Sequence, residues 1–72
     1  MTIDKFLAII RLTPFSSKVI KKGRKQLVEI SYQNMIIFYV IVKDGELEFS
    51  SAHPSSQQYK NYLLQRLSKE DL

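Results

Sequence analysis

Five basic side chains lie within eight residues in the first half of the chain and form its densest group of potential ligand-binding residues. They are Lys18, Lys21, Lys22, Arg24 and Lys25. Closely spaced cations bind phosphate oxygens and displace the counterions that condense on nucleic acids. Gly23, inside this segment, lets the backbone turn and bring an N–H group close to a phosphate. We therefore predict a nucleic-acid-binding site here; the alternative is a lysine-rich loop that only keeps an edge strand solvated.

The charge distribution favours an anionic partner. Residues 1–25 carry seven Lys and Arg against one Asp, and residues 26–72 carry four against six Asp and Glu, so that +6 and −2 sum to the net charge of +4. Such an asymmetry favours association with nucleic acid or with an acidic protein. Phe15, Tyr32 and Tyr39 are the aromatic residues that we expect at the surface, and none lies between the cations. We therefore expect contacts to phosphates rather than base stacking or base reading.

An apolar strand face is the second candidate site. Residues 35–42 form the longest apolar run, of eight residues, and a strand with this sequence is apolar on both faces. With alternate residues in the core, Ile37, Tyr39 and Ile41 remain on the other face, as a predicted protein interface. We expect the first helix or a second copy of the chain to cover them. A protein-binding inhibitor or adaptor that uses this apolar face or the free edge of the meander is thus the alternative function, and the chain could also form a homodimer.

Residues for catalysis and metal binding are sparse. The chain has one histidine, His53, and no cysteine. A structural zinc site needs four ligands, and a catalytic triad needs a nucleophile, a base and an orienting acid. We therefore assign no catalytic or metal-binding residue and expect a non-enzymatic regulatory protein without cofactor or small-molecule substrate. Metal-independent RNA cleavage, with His53 as general acid or base, is a second alternative.

Hydrophobic spacing predicts the elements that position these residues. The spacing of residues 2–12 predicts an amphipathic helix with Thr2 as its N-cap, and a strand is the alternative. Pro14 ends the element in either case. The expected buried stripe of this helix is Ile3, Phe6, Leu7 and Ile10. Residues 18–51 favour strands, with turns at 22–23, 33–34 and 44–45. The last turn, Asp44-Gly45, is the strongest signal because a type I′ hairpin needs positive φ, and it would pair Lys43 with Glu46.

The hairpin at residues 33–34 has two possible registers. A two-residue loop pairs Ile30 with Ile37, whereas a three-residue loop pairs Ile30 with Phe38. We favour the second, with a bulge at Asn34 or Met35, because it gathers the apolar residues on one face. That face consists of Val28, Ile30, Phe38, Val40, Val42, Leu47 and Phe49.

A second amphipathic helix is predicted from residue 55 to about residue 69. Pro54 stops the preceding strand, and Ser55 with Gln58 matches a capping box. The apolar stripe of this helix is Tyr59, Tyr62, Leu63 and Leu67. The predicted fold is therefore α+β, an antiparallel three- to four-stranded β-meander flanked by an N-terminal and a C-terminal helix, in a single compact domain of residues 1–72.

A helix, a three-stranded meander and a second helix, with a basic surface, resemble the topology of double-stranded-RNA-binding domains and of small ribonuclease toxins. The former begin their last helix with a lysine cluster, where this chain has Ser55-Ser-Gln-Gln-Tyr-Lys60. The toxins place their histidine within the sheet, and His53 lies beyond it. Because topology alone does not establish function, we assign no family.

The sequence also predicts the compartment. Asp4 precedes the apolar run of residues 6–10 and Arg11 follows it, which is not the pattern of a signal peptide. The eight apolar residues at 35–42 are far fewer than the ~20 of a membrane-spanning helix. We expect a cytoplasmic protein with no membrane partner.

Overall fold

A computed structural model describes residues 2–70, apart from the side chain of Glu70. Its six elements follow in the order α1 (Ile3–Ile10), β1 (Ser16–Lys21), β2 (Lys25–Tyr32), β3 (Met35–Lys43), β4 (Glu46–Ser51) and α2 (Ser56–Glu70). Within the described residues the strands form one antiparallel sheet in the order β1-β2-β3-β4. The predicted α+β meander is confirmed, and it has four strands. Met1, Asp71 and Leu72, which the predicted domain includes, lie outside the described residues.

Helix α1 begins where the sequence predicts. The hydroxyl oxygen of Thr2 accepts a hydrogen bond from the backbone N–H of Lys5 at 3.2 Å, which satisfies one of the free donors of the first turn. The helix ends at Ile10, whose carbonyl oxygen accepts a hydrogen bond from the Thr13 hydroxyl at 2.6 Å. The alternative strand for this segment is therefore wrong.

The buried face of α1 differs from the predicted stripe. Phe6 and Ile10 are buried as expected, but Ile9 is buried too, and Leu7 is only half-buried. Ile9 lies one residue off the simple helical spacing, and it reaches the core because α1 packs against both the sheet and α2. A helix that lies between two elements buries a wider sector than one that packs on a flat sheet.

The β3–β4 hairpin has the predicted turn and register. Asp44 and Gly45 have φ angles of +51° and +79°, as a two-residue type I′ loop requires. Lys43 lies opposite Glu46, and Val40 lies opposite Phe49. This part of the fold is determined locally by the Asp-Gly turn.

The β2–β3 hairpin combines features of both predicted registers. Ile30 lies opposite Phe38, as favoured, but the loop has two residues, because Tyr32 lies opposite Met35. The register shifts between these pairs, so that Ile37 is the extra residue of a bulge. The predicted bulge at Asn34 or Met35 is therefore wrong. Its position at Ile37 keeps a tight turn and also directs Phe38 into the core.

Both helices pack on the same face of the sheet. The core that they share with the sheet consists of Phe6, Ile9, Ile10, Phe15, Val28, Ile30, Ile37, Phe38, Val40, Val42, Leu63 and Leu67. Leu47 and Phe49 of β4 pack against this core, as the predicted apolar face requires. Helix α1 therefore does not cover the opposite face, and we call that opposite side of the sheet the open face.

Candidate functional site

The β1–β2 hairpin brings the five predicted cations together at one corner of the molecule. All five are exposed. Lys18 lies opposite Glu29 and Lys21 lies opposite Leu27, and residues directly opposite in a sheet point to the same side. Glu29 and Leu27 alternate with the core residue Val28, so both lysines point toward the open face. Lys22 and Arg24 lie in the turn beyond the strands.

A bulge in β1 explains why these lysines share a face. Lys18 and Lys21 are three residues apart and would point to opposite sides of a regular strand. The register shifts between Val19 and Lys21, so that Ile20 is an extra residue. Because of this shift the apolar side chain of Ile20 is 47% exposed to solvent, which is unfavourable. The bulge also interrupts the free edge of β1, which together with the lysines opposes pairing with another strand.

The turn of this hairpin depends on Gly23. Its φ angle of +125° lies in a region that residues with a side chain rarely adopt. A Cβ atom at this position would meet nothing within 4 Å, so only backbone conformation restricts the residue here. Gly23 thus lets the chain reverse direction between Lys22 and Arg24 while its surroundings stay open to a ligand.

Lys25 and Lys43 extend the basic group across the sheet. Lys25 of β2 lies opposite Lys43 of β3, and both side chains are exposed on the open face. Lys43 is not among the predicted cations, because it is distant from them in sequence and its predicted partner is Glu46. The hairpin register was the one signal that could have identified it.

The open face is apolar in its middle. One row of side chains crosses all four strands as Lys21, Leu27, Ile41 and Glu48. Tyr39 is next to Ile41 on the same face, opposite Glu29, and it is half-buried, as are Leu27 and Ile41. Leu27 is a member of this face that the sequence pattern does not predict.

Ile37 does not belong to this face. It was predicted beside Tyr39 and Ile41, but it is 0% exposed and lies in the core. The prediction is wrong because it assumed unbroken alternation along β3, and the bulge changes that alternation at Ile37 itself. Ile36 takes its place on the open face, opposite Ser31.

His53 has a structural partner in the loop before α2. Its Nδ1 atom accepts a hydrogen bond from the backbone N–H of Ser55 at 3.1 Å, and its carbonyl oxygen accepts one from the N–H of Ser56 at 3.0 Å. The N–H of Gln58 donates to the backbone carbonyl of Ser55 at 3.2 Å. Helix α2 therefore starts at the predicted place. A capping box would have the Gln58 N–H donate to the Ser55 hydroxyl and the Gln58 side chain accept from the Ser55 N–H, whereas here Gln58 donates to the Ser55 carbonyl and His53 accepts from the Ser55 N–H.

Phe15 is part of the core and is not at the surface as predicted. It is 7% exposed, and its ring contacts those of Tyr32, Tyr59 and Tyr62, with centroids 5.4, 5.6 and 5.9 Å away. This cluster fills the space between the sheet and α2. Tyr39 is the aromatic residue of the open face, so a row of stacking rings beside the lysines is not available.

Searches for other kinds of site within residues 2–70 give negative results. No group of three or more His, Asp or Glu side chains in this part of the chain is placed to hold a metal ion. No helix there has the length and apolar character needed to cross a membrane.

Comparison of the chain with protein-family models, with curated proteins and with solved structures finds no match in any of the three. The features that bear on function are therefore the hairpin and the open face.

Proposed function

We propose that this chain is a small, non-enzymatic, intracellular regulatory protein that binds nucleic acid through its basic hairpin, mainly by contacts to phosphates. The main observation behind the proposal is the bulge at Ile20, because it points Lys18 and Lys21 to the same side of the β1–β2 hairpin. Lys22 and Arg24 lie in the turn of the same hairpin. Together with Lys25 they give the hairpin five exposed cationic side chains.

The charge pattern of the sheet defines the direction of approach. Glu46 and Glu48 lie on β4, at the edge opposite β1, and Glu29 lies beside Lys18. A polyanion is attracted to the β1 edge and repelled by the β4 edge, so it should bind along the hairpin turn and the β1 edge and not lie flat across the sheet. Five phosphate contacts would give a slope of log affinity against log salt of up to about −4.5 on duplex DNA.

The test is a salt titration of binding to random-sequence duplex and single-stranded oligonucleotides. The double variant Lys22→Gln and Arg24→Gln should reduce the magnitude of the slope by up to ~1.8, because each lost contact on duplex DNA contributes about 0.9. The matched control is Arg11→Gln with Lys69→Gln, which removes the same charge from exposed positions on or next to the helices. The control should leave the slope unchanged.

Two results would contradict the proposal. The first is a wild-type protein that does not bind either oligonucleotide at low salt. The second is an equal loss of affinity in both double variants, since this would show that net charge alone, and not the hairpin, determines binding.

A further inference from the structure

The open face has opposite charges at its two edges and apolar side chains between them. In the row that crosses the sheet, Lys21 is at the β1 edge, Glu48 is at the β4 edge, and Leu27 and Ile41 lie between. Adjacent strands are ~4.8 Å apart, so the two charges are about 14 Å apart and too distant to pair within one chain. Each is exposed.

Within residues 2–70, both helices pack on the other side of the sheet. The sheet and the helices thus form two layers, consistent with the smallest overall dimension of 17 Å. Apolar residues such as Leu27, Tyr39 and Ile41 gain from being removed from water, and a third layer on the open face would do this.

We infer that a second copy of this chain forms that third layer, packed face to face around a two-fold axis that runs parallel to the strands. This axis reverses the order of the strands across the sheet but keeps their direction. The β1 edge of one copy then faces the β4 edge of its partner, so that Lys21 faces the partner's Glu48 and Leu27 faces the partner's Ile41. Each contact occurs twice, as a two-fold interface requires.

The alternative arrangements fit the charges less well. A two-fold axis running across the strands would place β1 over β1 of the second copy, and therefore bring two lysine-rich edges together. Pairing of two β1 edges into a continuous sheet is opposed by the bulge at Ile20 and by the same lysines. A surface that binds a foreign protein has no need to be complementary to itself. The row from Lys21 to Glu48 is complementary to a second copy of itself in the reverse order, which favours a second copy of the chain as the partner.

The basic turn remains accessible in this dimer. Lys22 and Arg24 lie beyond the strands that form the interface, and an axis parallel to the strands puts both turns at the same end of the dimer. In the row nearest the turns, Lys25 faces the partner's Lys43, a like-charge contact that opposes the dimer. Glu46 lies beside Lys43 in the same row, and the long lysine side chains can extend past the end of the interface into water. In this dimer Lys21 faces the partner's Glu48, so the contacts to phosphates come from Lys22 and Arg24 in the turn. The dimer does not depend on the proposed nucleic-acid binding, and it is tested without nucleic acid.

The first experiment measures mass in solution by sedimentation over a concentration series. Leu27→Ser should raise the dimer dissociation constant about tenfold or more, because it puts a hydroxyl in the apolar middle of the interface. Leu64→Ser is the matched control, since Leu64 lies on α2 and is 43% exposed. It should leave the dissociation constant unchanged, and circular dichroism checks that both variants are folded.

The second experiment exchanges the charges at the edges. Lys21→Glu and Glu48→Lys should each weaken self-association, by about tenfold, because each creates two like-charge contacts. When the two variants are mixed, every edge contact is again between opposite charges, so the heterodimer should form in preference to either homodimer. The chain that carries both substitutions should dimerise like the wild type.

A wild-type protein that stays monomeric throughout the concentration series overturns the inference. A dimer that Leu27→Ser and Leu64→Ser weaken equally also overturns it, because the open face would not be the interface. A mixture of the two charge variants without preference for the heterodimer overturns the arrangement around this axis. None of these results bears on binding of oligonucleotides by Lys22 and Arg24, so failure of the dimer and failure of the proposed function are distinguishable.

Discussion

Ile30 lies directly opposite Phe38, although the hairpin loop that joins their strands has only two residues. The register is possible because Ile37 is inserted between Phe38 and Ile36. The backbone carbonyl of Ile37 accepts a hydrogen bond from the N–H of Ala52 at 2.9 Å, which continues the pairing past the end of β4. The bulge thus allows a two-residue turn, places Phe38 opposite Ile30 in the core, and leaves the Ile37 carbonyl free to bond to the residue after β4.

This position of Ile37 predicts a difference between two isoleucines of the same strand. Ile37→Val should lower the free energy of unfolding by ~1 kcal/mol, because it removes one methylene group from a fully packed site. Ile41→Val should change it by less than about 0.5 kcal/mol, because Ile41 is only half-buried on the open face. Urea unfolding at low protein concentration measures both. An equal effect of the two substitutions would contradict the bulge.

Thr13 is predicted to stabilise the connection between α1 and β1. Its hydroxyl group donates to the carbonyl of Ile10 at 2.6 Å and accepts from the N–H of Phe15 at 3.2 Å. Thr13→Val keeps the shape but leaves the Phe15 N–H without this acceptor, while the Ile10 carbonyl keeps its hydrogen bond from the Thr13 N–H, so the variant should lower the unfolding free energy by ~1–2 kcal/mol. Thr13→Ser retains the hydroxyl and should recover most of the loss. Thermal unfolding followed by circular dichroism makes the comparison.

His53 is predicted to be structural. His53→Ala removes the acceptor for the Ser55 N–H, so we expect a loss of ~1 kcal/mol in unfolding free energy. His53→Asn should lose less, because an asparagine oxygen accepts from the N–H two residues on in an Asx turn. An RNA cleavage assay run beside the unfolding measurements tests the enzymatic alternative. Cleavage by the wild type that disappears in both variants would refute a purely structural histidine.

Much of the fold could be predicted because it is encoded locally. Thr2 predicts the start of α1, the Asp44-Gly45 turn predicts the register of β3 and β4, and Pro54 predicts the boundary before α2. In each case a residue restricts its own backbone or its neighbour's, whatever the rest of the chain does. The five cations of the candidate site are likewise evident from their spacing, although their partner is not.

The bulges could not be predicted from alternation. Alternation assumes that every residue of one strand has one partner on the next, and both Ile20 and Ile37 violate that assumption. A bulge is favoured when the turn and the core require registers that differ by one residue, and this conflict appears only when both are built together. The site residues therefore changed in detail: Ile37 moved to the core, and Leu27, Ile36 and Lys43 joined the open face.

The sequence by itself determined the α+β class, the last helix, the turns at 33–34 and 44–45, the apolar residues of the sheet and the group of cations between Lys18 and Lys25, but left the meander with three or four strands. Only the tertiary structure decided that both helices lie on one side of the sheet and that no part of residues 2–70 covers the opposite side. The reason is that a helix with an apolar stripe gains similar burial on either face of an isolated sheet. The choice depends on the path of the connecting segments and on packing between α1 and α2, and neither is a property of a single segment.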